Sequence, residues 1–474
     1  MTERLSSGRA SLDDVLKGGL PAHAITLIAG EPGTGKTILA HHFVFRNATP
    51  EHPALYCSTV SEPLDKLLRF GQTLEFFDAS AVGESVFFED LGGTAAQPDG
   101  LDGVLARIDS LLREHRPSLI VIDSFKALAA FAPDAAAYRR FLYELAGRCS
   151  AVALSALLLG EYSATDQLGA APESAVADAI ISLTAQRHGY RTTRYLEVLK
   201  MRGGDYASGS HAYRITGAGL EVFPRIADPL DPSGYDQGTE RVSTGIAAVD
   251  DLLGDGYWPG ASTLVAGPTG SGKTLMGLHF LYGGHGEGGI LATLQESRIQ
   301  LARIVKGFGW SLETPGISIY SRSPVGLLID EWLHGVFALA KETGARRLVV
   351  DSLGDLLVAA GDPLRFREYI HSLAQRCARQ QISLLMTHEL PQLFGTEQLS
   401  EYGVSHLCDN VLLLQYVPRE DQLGRSMTVL KTRASTHHLS RRAYEINPDG
   451  IVLADLAESP RARASRSVRS GSRP

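Results

Sequence analysis

Gly30-Glu31-Pro32-Gly33-Thr34-Gly35-Lys36-Thr37 follows an apolar run at 25–29 and opens another at 38–45. The first run reads as a strand and the second as a helix. A glycine-rich turn between them that ends in Lys-Thr is a phosphate-binding loop in its required context. Gly33 and Gly35 let the backbone curl, so that the N–H groups of Thr34 and its neighbours point inward at a phosphate. Lys36 adds a mobile cation, and the helix N-terminus adds dipole charge of the right sign. Thr37 supplies a hydroxyl for Mg²⁺. A plain strand-to-helix turn has no need of Lys and Thr at fixed places after its last glycine.

The loop occurs twice. Gly267-Pro268-Thr269-Gly270-Ser271-Gly272-Lys273-Thr274 lies between residues 262–266 and another apolar helix, with Lys273 standing 237 positions after Lys36. Gly270, Ser271, Gly272, Lys273 and Thr274 repeat the phosphate and metal roles. At the same offset Gly8 matches Gly245, Asp13-Asp14 match Asp250-Asp251, Leu16 matches Leu253, and His42-Phe43 match His279-Phe280. An offset this long lies far above solenoid periods, so each copy is expected to be a whole domain with its own core.

Length and composition agree. A chain of 474 residues with 44% hydrophobic content has room for two domains that each bury a large core. Cys57, Cys149, Cys377 and Cys408 are scattered with no CxxC pair, which indicates neither a zinc ribbon nor a disulfide framework. The N-terminus lacks the pattern of a signal peptide and no apolar run reaches membrane-spanning length, so a soluble protein of the reducing cytoplasm is expected. A net charge of −8 argues against a dedicated nucleic-acid binder. The one charge run is the tail 458–474, where Arg461, Arg463, Arg466, Arg469 and Arg473 alternate with Ser, Ala and Gly, and it reads as disordered.

Residues 101–115 carry apolar positions at helical spacing, and Leu119-Ile120-Val121-Ile122-Asp123-Ser124 follows. A short continuous apolar run between helices suits a strand buried on both faces of a parallel sheet. An acidic residue at its carboxyl end lies where open α/β sheets hold ligands. Asp123 is therefore expected beside the Mg²⁺ near Thr37. Leu348-Val349-Val350-Asp351-Ser352 repeats the pattern and makes Asp351 the counterpart. Residues 160–172 and 391–402 read as loops. The Pro- and Gly-punctuated stretch 224–238 reads as a linker, giving a first domain at 1–223 and a second at 239–457.

Leu199-Lys200-Met201-Arg202-Gly203 and Leu430-Lys431-Thr432-Arg433-Ala434 stand near the ends of the two domains. Lys and Arg at i and i+2 on a strand share a face and can bracket a polyphosphate. With the loops and the Asp-Ser strands, these motifs make the chain resemble the KaiC family of circadian-clock ATPases and their bacterial and archaeal relatives, over all but the Arg/Ser tail. The fold this implies is α/β, with two tandem RecA-like P-loop NTPase domains, each a largely parallel twisted sheet flanked by helices. The resemblance further implies a homo-oligomeric ring, usually a hexamer, with ATP between subunits. Lys200, Arg202, Lys431 and Arg433 would then reach the neighbour's nucleotide, and in the second domain Ser435 and His437 would line it. In the first domain Gly204 and Tyr206 depart from that pattern.

Family members generally end the second strand with two consecutive glutamates, one of which activates water. Here the second domain has Gln295-Glu296, and since a carboxamide orients water but takes no proton, Glu296 is the better base. The first domain has Val60-Ser61-Glu62-Pro63, where only a shift of register brings Glu62 into play. Phe308 resembles an aromatic that stacks near adenine, with core packing the alternative. Ser405 resembles the first of two autophosphorylation acceptors, and His406 occupies the place of the second.

The reading is a slowly hydrolysing ATPase with Mg²⁺ as cofactor, Ser/Thr autokinase activity in the second domain, and signalling through protein partners. Two alternatives from other classes stand beside it. A nucleic-acid motor would want basic, aromatic loops, whereas 160–172 and 391–402 contain no Lys or Arg. A nucleotide-gated scaffold would assemble on ATP with little turnover.

Overall fold

The computed structural model describes residues 3–59, 64–163, 168–188, 191–227, 238–284, 286–392, 403–419, 422–433 and 440–454. Most of the linker 224–238 and all of the tail 458–474 lie outside them, as do Glu62, Ser435 and His437. Two units divide the chain, Met1–Arg225 and Ile226–Pro474.

In the first unit the apolar runs at Ile25–Gly30, Ala54–Ser58 and Leu119–Asp123 belong to one parallel sheet, with Ser155–Glu161 between the first and the third. Their unbroken hydrophobicity has a direct cause, since helices cover both faces of the sheet. Ile25, Leu27 and Ala29 enter one core with the helices Gly100–His115 and Ala135–Ala151, while Ile28 enters the other with the helix Lys36–Asn47. Across the sheet the order is Gly219–Phe223, His211–Thr216, Arg191–Met201, Ala179–His188, Ile25–Gly30, Ser155–Glu161, Leu119–Asp123, Ala54–Ser58, Val86–Asp90. From Ala179–His188 to Val86–Asp90 the strands run parallel, and the three at the other edge are antiparallel.

The second unit repeats this order: Gly450–Leu453, Arg442–Asn447, Gln422–Thr432, Asn410–Arg419, Ser262–Gly267, Ser383–Glu389, Arg347–Asp351, Gly289–Thr293, Ile317–Ser321. It too has a core on each face, with Leu264 in one and Val265 in the other. The expected tandem pair of RecA-like α/β domains is what the chain folds into. Three of its helices start on side-chain caps. Asp134 accepts from the Ala137 N–H at 2.8 Å, Asp362 from that of Arg365 at 2.8 Å, and Ser297 with Gln300 forms a capping box.

The residues that matched at the repeat offset have structural jobs. Asp13 takes the Ser6 hydroxyl at 2.6 Å and the Ser7 N–H at 2.8 Å, and Asp250 does the same for Ser243 at 2.6 Å and Thr244 at 2.7 Å. His42 Nε2 accepts from the Leu220 N–H at 3.0 Å and His279 Nε2 from that of Ile451 at 3.0 Å, tying each loop helix to the last strand of its sheet. Gly219 and Gly450 precede those amides at φ +92° and +98°, where a Cβ would collide with the histidine ring.

Part of the stretch 160–172 is more regular than a loop. Its first strand runs on through Glu161, and the helix Pro172–Val176 begins at its end. Of 391–402, residues 393–402 lie outside the described set.

Candidate functional site

Both phosphate loops leave the carboxyl end of a central strand. Gly35, at φ +90°, is the residue before the helix Lys36–Asn47, and Gly272, at φ +98°, precedes the helix Lys273–Tyr282. This left-handed conformation turns the loop amides over the helix end, and it is one that only glycine adopts readily. Each loop is braced from below by a tyrosine. Tyr213 OH donates to the Thr34 carbonyl at 2.5 Å, and Tyr444 OH to that of Ser271.

Lys36 and Lys273 lie within the loops. The ammonium of Lys36 donates to the carbonyls of Gly30 at 3.0 Å and Glu31 at 3.1 Å, and that of Lys273 to Pro268 at 2.9 Å. Burial lowers the pKa of both. The carboxylates of Glu161 and Asp123 oppose that shift for Lys36, and those of Glu389 and Asp351 for Lys273. Glu161 faces Gly30, and Glu389 faces Gly267, across adjacent parallel strands. Neither glutamate was singled out from the sequence, although both end apolar strands at matching places in the repeat.

Thr37 and Asp123 meet as the motif requires: Thr37 Oγ1 donates to Asp123 Oδ2 at 2.8 Å, and Thr274 Oγ1 to Asp351 Oδ2 at 2.7 Å. A hydroxyl and a carboxylate at the mouth of a phosphate loop are hard oxygen donors, and this set fits Mg²⁺ arriving with phosphates and its own waters. Among the described residues no group of three or more His, Cys, Asp or Glu could hold a metal unaided.

The carboxylates differ in their second partner. In the first unit the buried Tyr56 donates its hydroxyl to Asp123 Oδ2 at 2.7 Å. In the second, Thr387 donates to Asp351 Oδ1.

Ser58 pairs with Asp123 and Thr293 with Asp351, so the two strands end at matching places. Val60, Ser61 and Glu62, which follow the first of them, lie outside the described residues. The side chain of Thr293 accepts the backbone N–H groups of both Gln295, at 3.3 Å, and Glu296, at 3.2 Å. Gln295 is exposed and Glu296 half-buried.

The late basic pairs lie toward the amino end of the central strand, away from the phosphate loop of their own unit, and are held by their own chain. Lys200 donates to the carbonyls of Ala177 at 2.6 Å and Ser174 at 3.1 Å, and Arg202 pairs with Asp178 at 3.4 Å. Lys431 donates to Cys408 at 2.6 Å, Ser405 at 3.3 Å and His406 at 3.4 Å, and Arg433 donates to His406 at 3.1 Å and pairs with Asp409 at 3.6 Å. The arginine side chains are 62% and 58% exposed, which leaves their guanidinium groups open to a neighbouring molecule. Ser405 lies on the short helix Val404–Leu407.

Phe308 is half-buried in an aromatic group, 5.7 Å from the ring of Trp310, which stacks on Tyr282 at 4.7 Å. Another group missed from sequence is Arg194, whose Nε donates to the Gly33 carbonyl at 3.4 Å. At the second loop Tyr416 donates to the Thr269 carbonyl at 3.2 Å, with the Arg425 guanidinium 5.7 Å from its ring.

A family profile described as KaiC ATPase matches residues 5–227, 242–317 and 329–458. The circadian clock oscillator protein KaiC of Picosynechococcus sp. is 28% identical over 466 residues, covering 94% of this chain and 88% of that protein. The circadian clock protein KaiC3 of Synechocystis sp. is 29% identical over 470 residues, covering 95% of this chain and 92% of that protein. The circadian clock oscillator protein KaiC of Thermosynechococcus vestitus is 28% identical over 465 residues, covering 94% and 87%.

Proposed function

The chain belongs to the KaiC ATPase family, and from that premise we propose that it is a double-ring signalling ATPase, binding Mg-ATP at two sites per chain and hydrolysing it slowly. The observation that carries the proposal is the pair of phosphate loops, each with its threonine hydroxyl on an aspartate at the carboxyl end of the sheet. Bound Mg²⁺ would neutralise charge on the phosphates, and Thr37 with Asp123 and Thr274 with Asp351 would hold it. The loop amides and Lys36 or Lys273 would grip the phosphate oxygens, which is most of what phosphoryl transfer asks of a protein. Glu296 serves as the base of the second site, with Gln295 orienting the attacking group. Phe308 lies toward the adenine side in this reading.

Lys200, Arg202, Lys431 and Arg433 complete a neighbour's site in a homo-oligomer, a hexamer by family resemblance. The exposed guanidinium groups of Arg202 and Arg433 support this role. Ser405 is the acceptor of an autokinase activity in the second ring. Among the described residues no helix is long and apolar enough to cross a membrane.

The test is particle size and phosphate release measured with ATP, ADP and no nucleotide, followed by mass spectrometry of the peptide spanning Ser405. ATP-dependent assembly, steady phosphate release and one phosphate on Ser405 are expected. Assembly without release would replace the enzyme by a scaffold, and an unmodified Ser405 peptide in a hydrolysing sample would remove the kinase.

A further inference from the structure

Tyr56 belongs to an otherwise apolar strand, Ala-Leu-Tyr-Cys-Ser at 54–58, and its side chain is wholly buried. Its ring packs against two others, 5.2 Å from that of His41 and 5.3 Å from that of Phe88, so packing restricts where its hydroxyl can go. That hydroxyl donates to Asp123 Oδ2 at 2.7 Å, the same oxygen that accepts from Thr37 at 2.8 Å.

The register shows what stands at this place in the other unit. Tyr56 pairs with Val121, two residues before Asp123, and Leu291 pairs with Val349, two residues before Asp351. Leu291 offers no hydroxyl. The second unit instead uses Thr387 on the opposite neighbouring strand, where the first unit has the buried Leu159 opposite Asp123. Each aspartate therefore receives one hydroxyl from its loop threonine and one from a flanking strand, delivered from opposite sides in the two units.

We infer that Tyr56 is a positioning residue of the first site, holding the Asp123 carboxylate with Oδ2 toward Thr37 and toward the cation that arrives with the nucleotide. This rests on the reading of the first unit as a Mg-nucleotide site. A carboxylate turns about its last single bond, and Asp123 is only partly buried. A fixed hydrogen bond selects one orientation beforehand, and so reduces the ordering cost of metal binding. Thr387 performs the same task from the other side of Asp351.

The experiment measures binding of a fluorescent ADP analogue against Mg²⁺ concentration, in the full chain carrying Lys273→Ala to silence the second site. Adding Tyr56→Phe, which removes only the hydroxyl, is expected to raise the Mg²⁺ concentration for half-maximal enhancement by about tenfold, the size of one hydrogen bond to a charged group. Binding without Mg²⁺ should stay as it was. Adding Leu159→Thr to Tyr56→Phe, which recreates the second unit's arrangement, should restore much of the Mg²⁺ response. An unchanged or lowered Mg²⁺ requirement, or an equal loss with and without Mg²⁺, overturns the assignment. If the Lys273→Ala parent binds no analogue, the reading of the first site falls and this inference falls with it.

Discussion

The two phosphate loops are near copies in what touches a phosphate, and they differ in what surrounds the chemistry. Both have the left-handed glycine before the helix, the lysine on loop carbonyls, the threonine on the aspartate and the tyrosine under the loop. Phosphate oxygens impose one geometry, so divergence has little room there. The flanks have been freer: Asp123 is braced by Tyr56 and Asp351 by Thr387. In sequence, Val60-Ser61-Glu62 follows the strand of the first unit and Gln295-Glu296 that of the second. If both units bind nucleotide as proposed, the expectation is a division of labour, in which the first site mainly holds nucleotide and the second mainly turns it over.

The sharpest way to break that comparison is to remove one lysine at a time. Losing a preorganised cation costs about a hundredfold at its own site. Lys273→Ala should therefore leave only the turnover of the first site, while Lys36→Ala leaves most phosphate release and chiefly impairs assembly. Phosphate release and particle size on the two variants decide it, and the reverse ranking would show that the first unit carries the better base.

A smaller effect is expected at the late arginines. Arg202→Ala and Arg433→Ala should each weaken assembly and lower hydrolysis by about tenfold, the scale of one exposed charge-assisted contact to a phosphate, while the subunits stay folded. Mixing Arg433→Ala with Lys273→Ala chains should return part of the activity at hybrid sites, because one partner keeps the lysine and the other the arginine. If no mixture recovers activity, the arginines work within their own subunit, as the ion pair of Arg433 with Asp409 already permits.

What could be read from the sequence, and what could not, follows the same line. Lys36, Thr37 and Asp123 were legible because their types and spacing have few other uses. Tyr56 was not, since a tyrosine in an apolar strand reads as core, and only the pairing register reveals that its hydroxyl reaches Asp123. Glu161 and Glu389 escaped for the same reason: their closeness to the loops depends on the sheet order. The edge strands Val86–Asp90 and Ile317–Ser321 went unread because, being mostly half-buried, they lack the continuous apolar run of the central strands. Lys200 and Lys431 were legible as basic residues, but their grip on carbonyls of their own chain was not.

The smallest expected difference between the units is in acid stability, and it turns on His41. This side chain is 2% exposed, has hydrogen-bond partners at neither ring nitrogen among the described residues, and is surrounded by the rings of Phe45, Tyr56, Phe77 and Phe88. At the same repeat offset the second unit has Leu278. Burial, with a smaller effect from neighbouring His42, lowers the His41 pKa from 6.5 to about 4. The folded state therefore keeps His41 neutral where the unfolded chain would protonate it. Its cost to stability is absent above pH 6.5 and grows as the pH falls toward 4, reaching about 2 kcal/mol near pH 5. His42 and His279, each lowered mainly by burial to about 4, add the same sign to both units, which leaves His41 as the unmatched histidine. His41→Leu should raise the unfolding temperature relative to the parent by more at about pH 5 than at about pH 7.5. Thermal unfolding followed at both pH values measures this. An equal offset at both would mean that the leucine changes packing alone and that the first unit has no acid sensitivity of its own at this site.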